Sequence, residues 1–260
     1  MPLTLAQYLL GVGSGVFVGF SLGLVGGGGS ILALPLIVYL VGVSDPHVAI
    51  GTTAVAVAAN AAINLFAHAR KGMVKWRCAS LFAATGIAGA FLGSTLGKAV
   101  DGQKLLFLFA MLMIAIGIIM LRGRRGQGDP GVHLNRSNAP KLAAAGLLAG
   151  VLSGFFGIGG GFLIVPGLMI ATGMPIINAV GSSLLPVAAF GTTTAANYAA
   201  AGWVHWSLAA IFVTGGILGG TSGARLAHRL AGRRGLLNAV FSCIIFLVAF
   251  YMLYRSRGAF

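Results

Sequence analysis

The chain has 260 residues, 58% of them hydrophobic and only 8% charged, with a mean hydropathy of +0.97, whereas soluble domains carry about 25% charged residues. Seventeen Lys and Arg stand against three acids, for a net charge of +14. The basic residues lie in short loops between apolar runs of about 20 residues, which excludes a soluble nucleic-acid binder and predicts an all-α polytopic membrane protein.

Taken in chain order, the first apolar run, Leu3 to Val25, has no basic segment before it and more apolar sequence after it, so it reads as a structural helix rather than a signal peptide. This is piece a, about 4–24. The stretch "VGGGGSILALP" follows, Val25 to Pro35. Each glycine costs roughly 1 kcal/mol relative to alanine inside a helix, so four together are expected to break it before a short piece b, about 30–43. Pieces c, d and e are expected over about 47–69, 75–97 and 104–121. A basic, Gly- and Pro-rich linker, "RGRRGQGDPGVHLNRSNAPK", runs from Arg122 to Lys141. Beyond it come a′ to e′, about 142–156, 160–173, 176–200, 206–226 and 234–254. Pieces b, a′ and b′, with about 14 or 15 residues each, are shorter than a comfortable crossing.

The second set of five repeats the first. "VGGGGSILALP" returns as "FGIGGGFLIVP" (Phe156–Pro166), "GTT" (Gly51–Thr53) as "GSS" (Gly181–Ser183), "GMVKW" (Gly72–Trp76) as "GWVHW" (Gly202–Trp206) and "TGIAGAFLG" (Thr85–Gly93) as "GGILGGTSG" (Gly215–Gly223). Four matches in order, at an offset of 130 or 131 residues, divide the chain into a first membrane repeat (1–121), the linker (122–141) and a second membrane repeat (142–260).

Loop charge orients the repeats. If a and b together return the chain to its starting side, the c–d loop (Arg70, Lys71, Lys75, Arg77), the linker (Arg122, Arg124, Arg125, Arg136, Lys141) and the d′–e′ loop (Arg225, Arg229, Arg233, Arg234) share one face with 13 basic residues, against four on the other. If a and b make one broken crossing, the split is 11 to six. The positive-inside rule favours the first arrangement. Both termini are then outside, the second repeat is inverted relative to the first, and the total is eight to ten membrane segments.

Inverted repeats with interrupted helices are a recurrent transporter plan, with substrate near the midplane where half-helices begin. Irregular backbone is tolerated at that depth only where it is buried or lines a cavity. A helix start offers unpaired N–H groups and a partial positive charge, and glycines allow close approach of an anion. Gly27, Gly28, Gly29 and Ser30 are therefore expected to face Gly159, Gly160 and Gly161 across a small anionic substrate. Thr52, Thr53 and Asn60 on c, with Ser182 and Ser183 on c′, supply further candidate donors. His68 and Arg70 stand at the expected cytoplasmic entrance. Gly86, Gly89 and Gly93, with Gly216, Gly219 and Gly223, recur at helical spacing and read as packing ridges.

No glutamate occurs, and Asp45, Asp101 and Asp129 lie in loops or at segment ends. Proton-coupled carriers commonly use buried carboxylates, and none is expected here. Cys78 and Cys243 form no metal-ligand spacing, so no metal or cofactor is expected. No catalytic constellation stands at a credible spacing, so an intramembrane enzyme is not expected. The partners expected are a small anion, the lipid bilayer and a second copy of the chain in a homodimer.

"GLVGGGGSILALPLIVYLVG" and "PHVAIGTTAVAVAANAAINLFAHARKGMVKWR", with "GLLAGVLSGFFGIGGGFLIVPGLM" and "NAVGSSLLPVAAFGTTTAANY" in the second half, resemble the TauE/SafE family of membrane permeases over nearly the whole chain. The resemblance implies an inner-membrane protein with about eight transmembrane segments that exports sulfite or a small organosulfonate such as sulfoacetate. An anion leaving a cell that is negative inside gains about 2.3 kcal/mol per charge per 100 mV, so a uniporter working by alternating access needs no coupling carboxylate. An anion channel and an uptake permease for a sulfur compound are the alternatives.

Overall fold

The computed structural model describes residues 4–122, 129, 131–229 and 234–256. Arg124, Arg125, Arg233 and Arg257, counted above in the charge balance, lie outside these. The described residues form helices and connecting turns with no strand. The first half runs α1 (Leu5–Val25), a composite segment, then α3 (Pro46–Ala69), α4 (Trp76–Lys98) and α5 (Gly102–Arg122). The composite segment is a 3-10 stretch (Gly26–Leu32), one α turn, α2 (Ala33–Pro35), and a π stretch (Leu36–Val41). The second half runs α6 (Ala139–Phe156), α7 (Gly161–Thr172), α8 (Ile176–Ala200), α9 (Trp206–Arg229) and α10 (Arg234–Ser256).

Five helices, within α1, α3, α4, α6 and α8, are long and apolar enough to cross a bilayer. The other three long ones, α5, α9 and α10, have 21, 24 and 23 residues, the length of a crossing. Two of the three acids serve as caps. The Asp45 carboxylate accepts the N–H groups of His47 and Val48 at the start of α3, with Pro46 in the first turn. Asp101 does the same for Gln103 and Lys104 at the start of α5.

Two expectations are corrected. Piece a′ is not short: α6 starts at Ala139, inside the expected linker, and reaches 18 residues. Pro140 fits its first turn, where a missing N–H costs nothing. The first glycine run ends α1 at Val25, as expected, but no regular α-helix follows as piece b. The run tightens the chain into 3-10 turns from Gly26 to Leu32, a form that keeps backbone hydrogen bonds at a narrower radius.

Both breaks reverse the chain. Along a continuing helix, residues seven or eight apart are separated by about 10–12 Å. A Cβ on Gly160 would stand 2.6 Å from the Ser153 Cβ, and one on Gly29 would stand 2.7 Å from the Ser21 Cβ. Each hairpin returns to its starting level. Gln7, early in α1, donates to the Val41 carbonyl at 3.2 Å, and the Asp129 N–H donates to the Gly173 carbonyl at 3.0 Å.

The halves are interlocked. α1 packs on α9 and α6 on α4, α3 crosses α8, α5 lies on α10, and the 3-10 stretch meets α7. The α1–α9 and α4–α6 seams are glycine ridges. A Cβ on Gly15 or Gly19 would strike the backbone of Phe212 or Gly216, and one on Gly146, Gly150 or Gly154 would strike that of Phe82, Gly86 or Ala90. Gly89, Gly93, Gly219 and Gly223 sit in the same seams, against Leu147, Val151, Val16 and Phe20. Gly86 and Gly216 make room for the Phe190 ring and the Asn60 amide. Residue numbers rise together along each seam, so these pairs are parallel. Across α3 and α8 they run oppositely: Gly51 meets Tyr198 and Trp203, Ala58 meets Gly191, and Met73 meets Gly181. Equivalent helices of the two repeats are thus antiparallel. The pseudo-two-fold axis relating them is perpendicular to the helices, as inverted repeats require.

Candidate anion-binding site

The second break is an open turn at the crossing of α3 and α8. α6 ends at Phe156, and Gly157, Gly159 and Gly160 follow with φ of +67°, +67° and +61°. A side chain in that left-handed region costs about 1 kcal/mol or more per residue, which is why the turn is glycine. Space excludes side chains as well. A Cβ on Gly157 would collide with Ile50, and one on Gly159 would stand 2.9 Å from Val57 and 3.2 Å from Val187. Gly159 is therefore wedged between the two crossing helices, and residues 157–162 are all buried.

Gly160 caps α7, and its carbonyl accepts the N–H groups of Leu163 and Ile164 at 2.9 and 3.1 Å. Of the four amides that a helix start leaves without an i→i−4 partner, that of Leu163 is taken by the Gly160 carbonyl, and those of Gly160, Gly161 and Phe162 remain. The Thr53 hydroxyl donates to the carbonyls of Ala49 and Ile50 and lies 3.5 Å from that of Gly157. The Ser153 hydroxyl, on the last turn but one of α6, is fully buried and has no hydrogen-bond partner. It sits 2.9 Å from where a Cβ on Gly160 would be.

At the first break Gly27, Gly28, Gly29 and Ser30 lie within the 3-10 turns. Gly29 packs back on Ser21 and Leu22, and Ser30 is fully buried. The broken segments do meet, but one is an open left-handed turn and the other a wound stretch.

The hydroxyl pairs on α3 and α8 do something the sequence did not reveal. The Thr52 hydroxyl accepts the His205 N–H at 2.9 Å, just before α9, and donates to the Val48 carbonyl. The Ser182 hydroxyl accepts the Lys75 N–H at 2.8 Å, just before α4. Each repeat thus ties down the start of a long helix in the other. Ser183 donates to the Val180 carbonyl on its own helix.

Asn60 is fully buried, and neither its amide nitrogen nor its oxygen has a partner. One turn further along α3, the Asn64 amide donates to the Asn60 carbonyl, and the His68 Nδ1 lies 3.0 Å from the Asn64 carbonyl. These three form a polar column, of which Asn60 and Asn64 face Gly216 and Gly220 of α9. Arg70, at the end of α3, is exposed, with its guanidinium carbon 4.2 Å above the Phe66 ring. A cavity of about 380 Å³ opens where the π stretch meets α3, α5 and α10, lined by Tyr39, Gln103 and Arg255 among others. Among the described residues no cluster of His, Cys, Asp or Glu suits a metal ion.

Ser153 was missed by sequence reasoning. The signal lay in the repeat: at an offset of 131, Ser153 stands where the first half has Leu22.

Residues 11–252 match the model of the family described as "Sulfite exporter TauE/SafE". A "Probable membrane transporter protein" of Xylella fastidiosa (strain 9a5c) is 53% identical over 255 residues, covering 98% of each chain. The "Probable membrane transporter protein YdhB" of Bacillus subtilis (strain 168) is 27% identical, over 93% of this chain and 95% of its own. The "Sulfite exporter TauE/SafE family protein 2" of Arabidopsis thaliana is 34% identical over 125 residues, 48% of this chain and 27% of its own. No solved structure matches. With the family model spanning nearly the whole of an interlocked, helical, multi-pass membrane protein, the chain belongs to the TauE/SafE sulfite exporter family of membrane transporters.

Proposed function

We propose that the protein exports a small sulfur-containing oxyanion, sulfite or an organosulfonate such as sulfoacetate, across the bacterial inner membrane by alternating access. The observation that carries this reading is the buried start of α7. Its amides without an intrahelical partner sit at the contact of the two halves. The family name supplies the sulfur chemistry. The two halves act as inverted membrane repeats joined by a cytoplasmic linker, with both termini outside, as the loop charge favours. Burial of residues 157–162 fits a conformation closed to both faces, from which the parallel seams α1–α9 and α4–α6 move relative to the α3–α8 crossing. The chain performs no covalent chemistry on its substrate, and the anion's own charge supplies the driving force for exit.

The test is calorimetry on the purified protein with sulfite, sulfoacetate, sulfate and chloride. Saturable, selective binding of a sulfur oxyanion supports the reading. Binding of chloride alone would favour the anion channel, and binding of none would remove the substrate class.

A further inference from the structure

The two breaks are equivalent in the repeat but not in chemistry. In the second, the Ser153 hydroxyl is fully buried, unpartnered and packed beside the capping Gly160. In the first, the same position is Leu22, fully buried and packed on Gly29. The second turn is left-handed and leaves the first amides of a 12-residue helix free, whereas the first is wound in 3-10 turns that use its amides internally. A buried hydroxyl without an acceptor costs about 1–3 kcal/mol. A ligand accepting from it would remove that cost.

Charge narrows the ligand. A helix start offers roughly half an elementary charge. Among the described cations, Arg70, Lys71 and Lys75, between α3 and α4, and Lys98, which ends α4, stand at helix ends. A second negative charge on the ligand would be buried without compensation.

Building on the function proposed above, we infer that the protein holds one monoanion at the start of α7 alone, bound by the amides of Gly161 and Phe162 and the Ser153 hydroxyl, and that the first break binds none. Bisulfite and monoanionic sulfonates fit this site. The dianions sulfite, sulfate and sulfoacetate do not, which narrows the substrates proposed above.

The experiment is calorimetry on the full-length protein with methanesulfonate, sulfate and sulfite. Methanesulfonate is expected to bind once per chain and more tightly than sulfate. Sulfite is expected to bind more tightly as pH falls into the bisulfite range, while methanesulfonate is unaffected. Ser153→Ala should weaken methanesulfonate binding about tenfold or more, the loss of a hydrogen bond to a charged group. Ser21→Ala, beside the first break, should leave it within about twofold. Ser153→Cys, of nearly the same shape and a weaker donor, carries the test if the alanine variant fails to fold. Two anions per chain, tighter binding of sulfate, or undiminished affinity in a folded Ser153 variant would overturn the inference and leave the transporter reading standing. Failure of the wild type to bind any anion would remove both.

Discussion

Gly150→Ala tests the parallel seams on which the fold rests. A Cβ at Gly150 would stand 2.7 Å from the Cα of Gly86 and 2.8 Å from its carbonyl carbon, and closer still to its carbonyl oxygen. Carbon atoms attract best at about 3.5–4.0 Å, so α4 and α6 would have to part by about 1 Å at this level. A gap of that size forfeits about a quarter to a half of each dispersion contact along the seam, and overpacking of a close-packed core costs about 1–3 kcal/mol. The expected loss is about 2 kcal/mol. Gly13→Ala is the control. Gly13 is exposed in the interior of α1, and nothing lies within 4 Å of a Cβ there. It should lose nothing and gain up to about 1 kcal/mol from helix propensity. Unfolding of both variants in detergent micelles, followed by circular dichroism, compares them directly. A Gly150→Ala protein as stable as Gly13→Ala would refute the close, in-register contact of α4 with α6.

The hydroxyl ties between repeats predict matched losses. Thr52→Val and Ser182→Ala each leave a helix-start amide without its acceptor and should each lower stability by about 1–3 kcal/mol in the same assay. A loss in only one would contradict the symmetry of the two bonds. Asn60→Leu keeps a γ-branched side chain but removes two unpartnered polar atoms, so it should raise stability by about 1–3 kcal/mol. If Asn60 serves the substrate, flux into proteoliposomes should fall in the same variant; lower stability would mean that Asn60 is satisfied.

Most element positions were legible because glycine, proline and loop charge punctuate a chain that is otherwise apolar. Gly86, Gly89 and Gly93, with their partners in the second half, show their ridge by spacing alone, and in the structure these positions lie against neighbouring helices, chiefly along the α4–α6 and α1–α9 seams. The failures have physical causes. Composition does not distinguish a glycine run that opens from one that tightens into 3-10 turns. The difference rests on Gly29 being pressed onto α1 while Gly159 is wedged between α3 and α8. The bonds from Lys75 to Ser182 and from His205 to Thr52 join residues more than 100 positions apart, and no local pattern announces them. Ser153 was visible only by laying the halves over one another and asking where they differ in polarity.

The most direct test of the central claim is flux through purified protein in liposomes loaded with sulfite or methanesulfonate, with a membrane potential imposed and no proton or sodium gradient. The account predicts selective anion efflux, driven by an interior-negative potential and abolished when the potential is clamped at zero with equal anion on both sides. An absolute requirement for a proton or sodium gradient, or efflux of chloride as fast as that of the sulfur oxyanion, would contradict it.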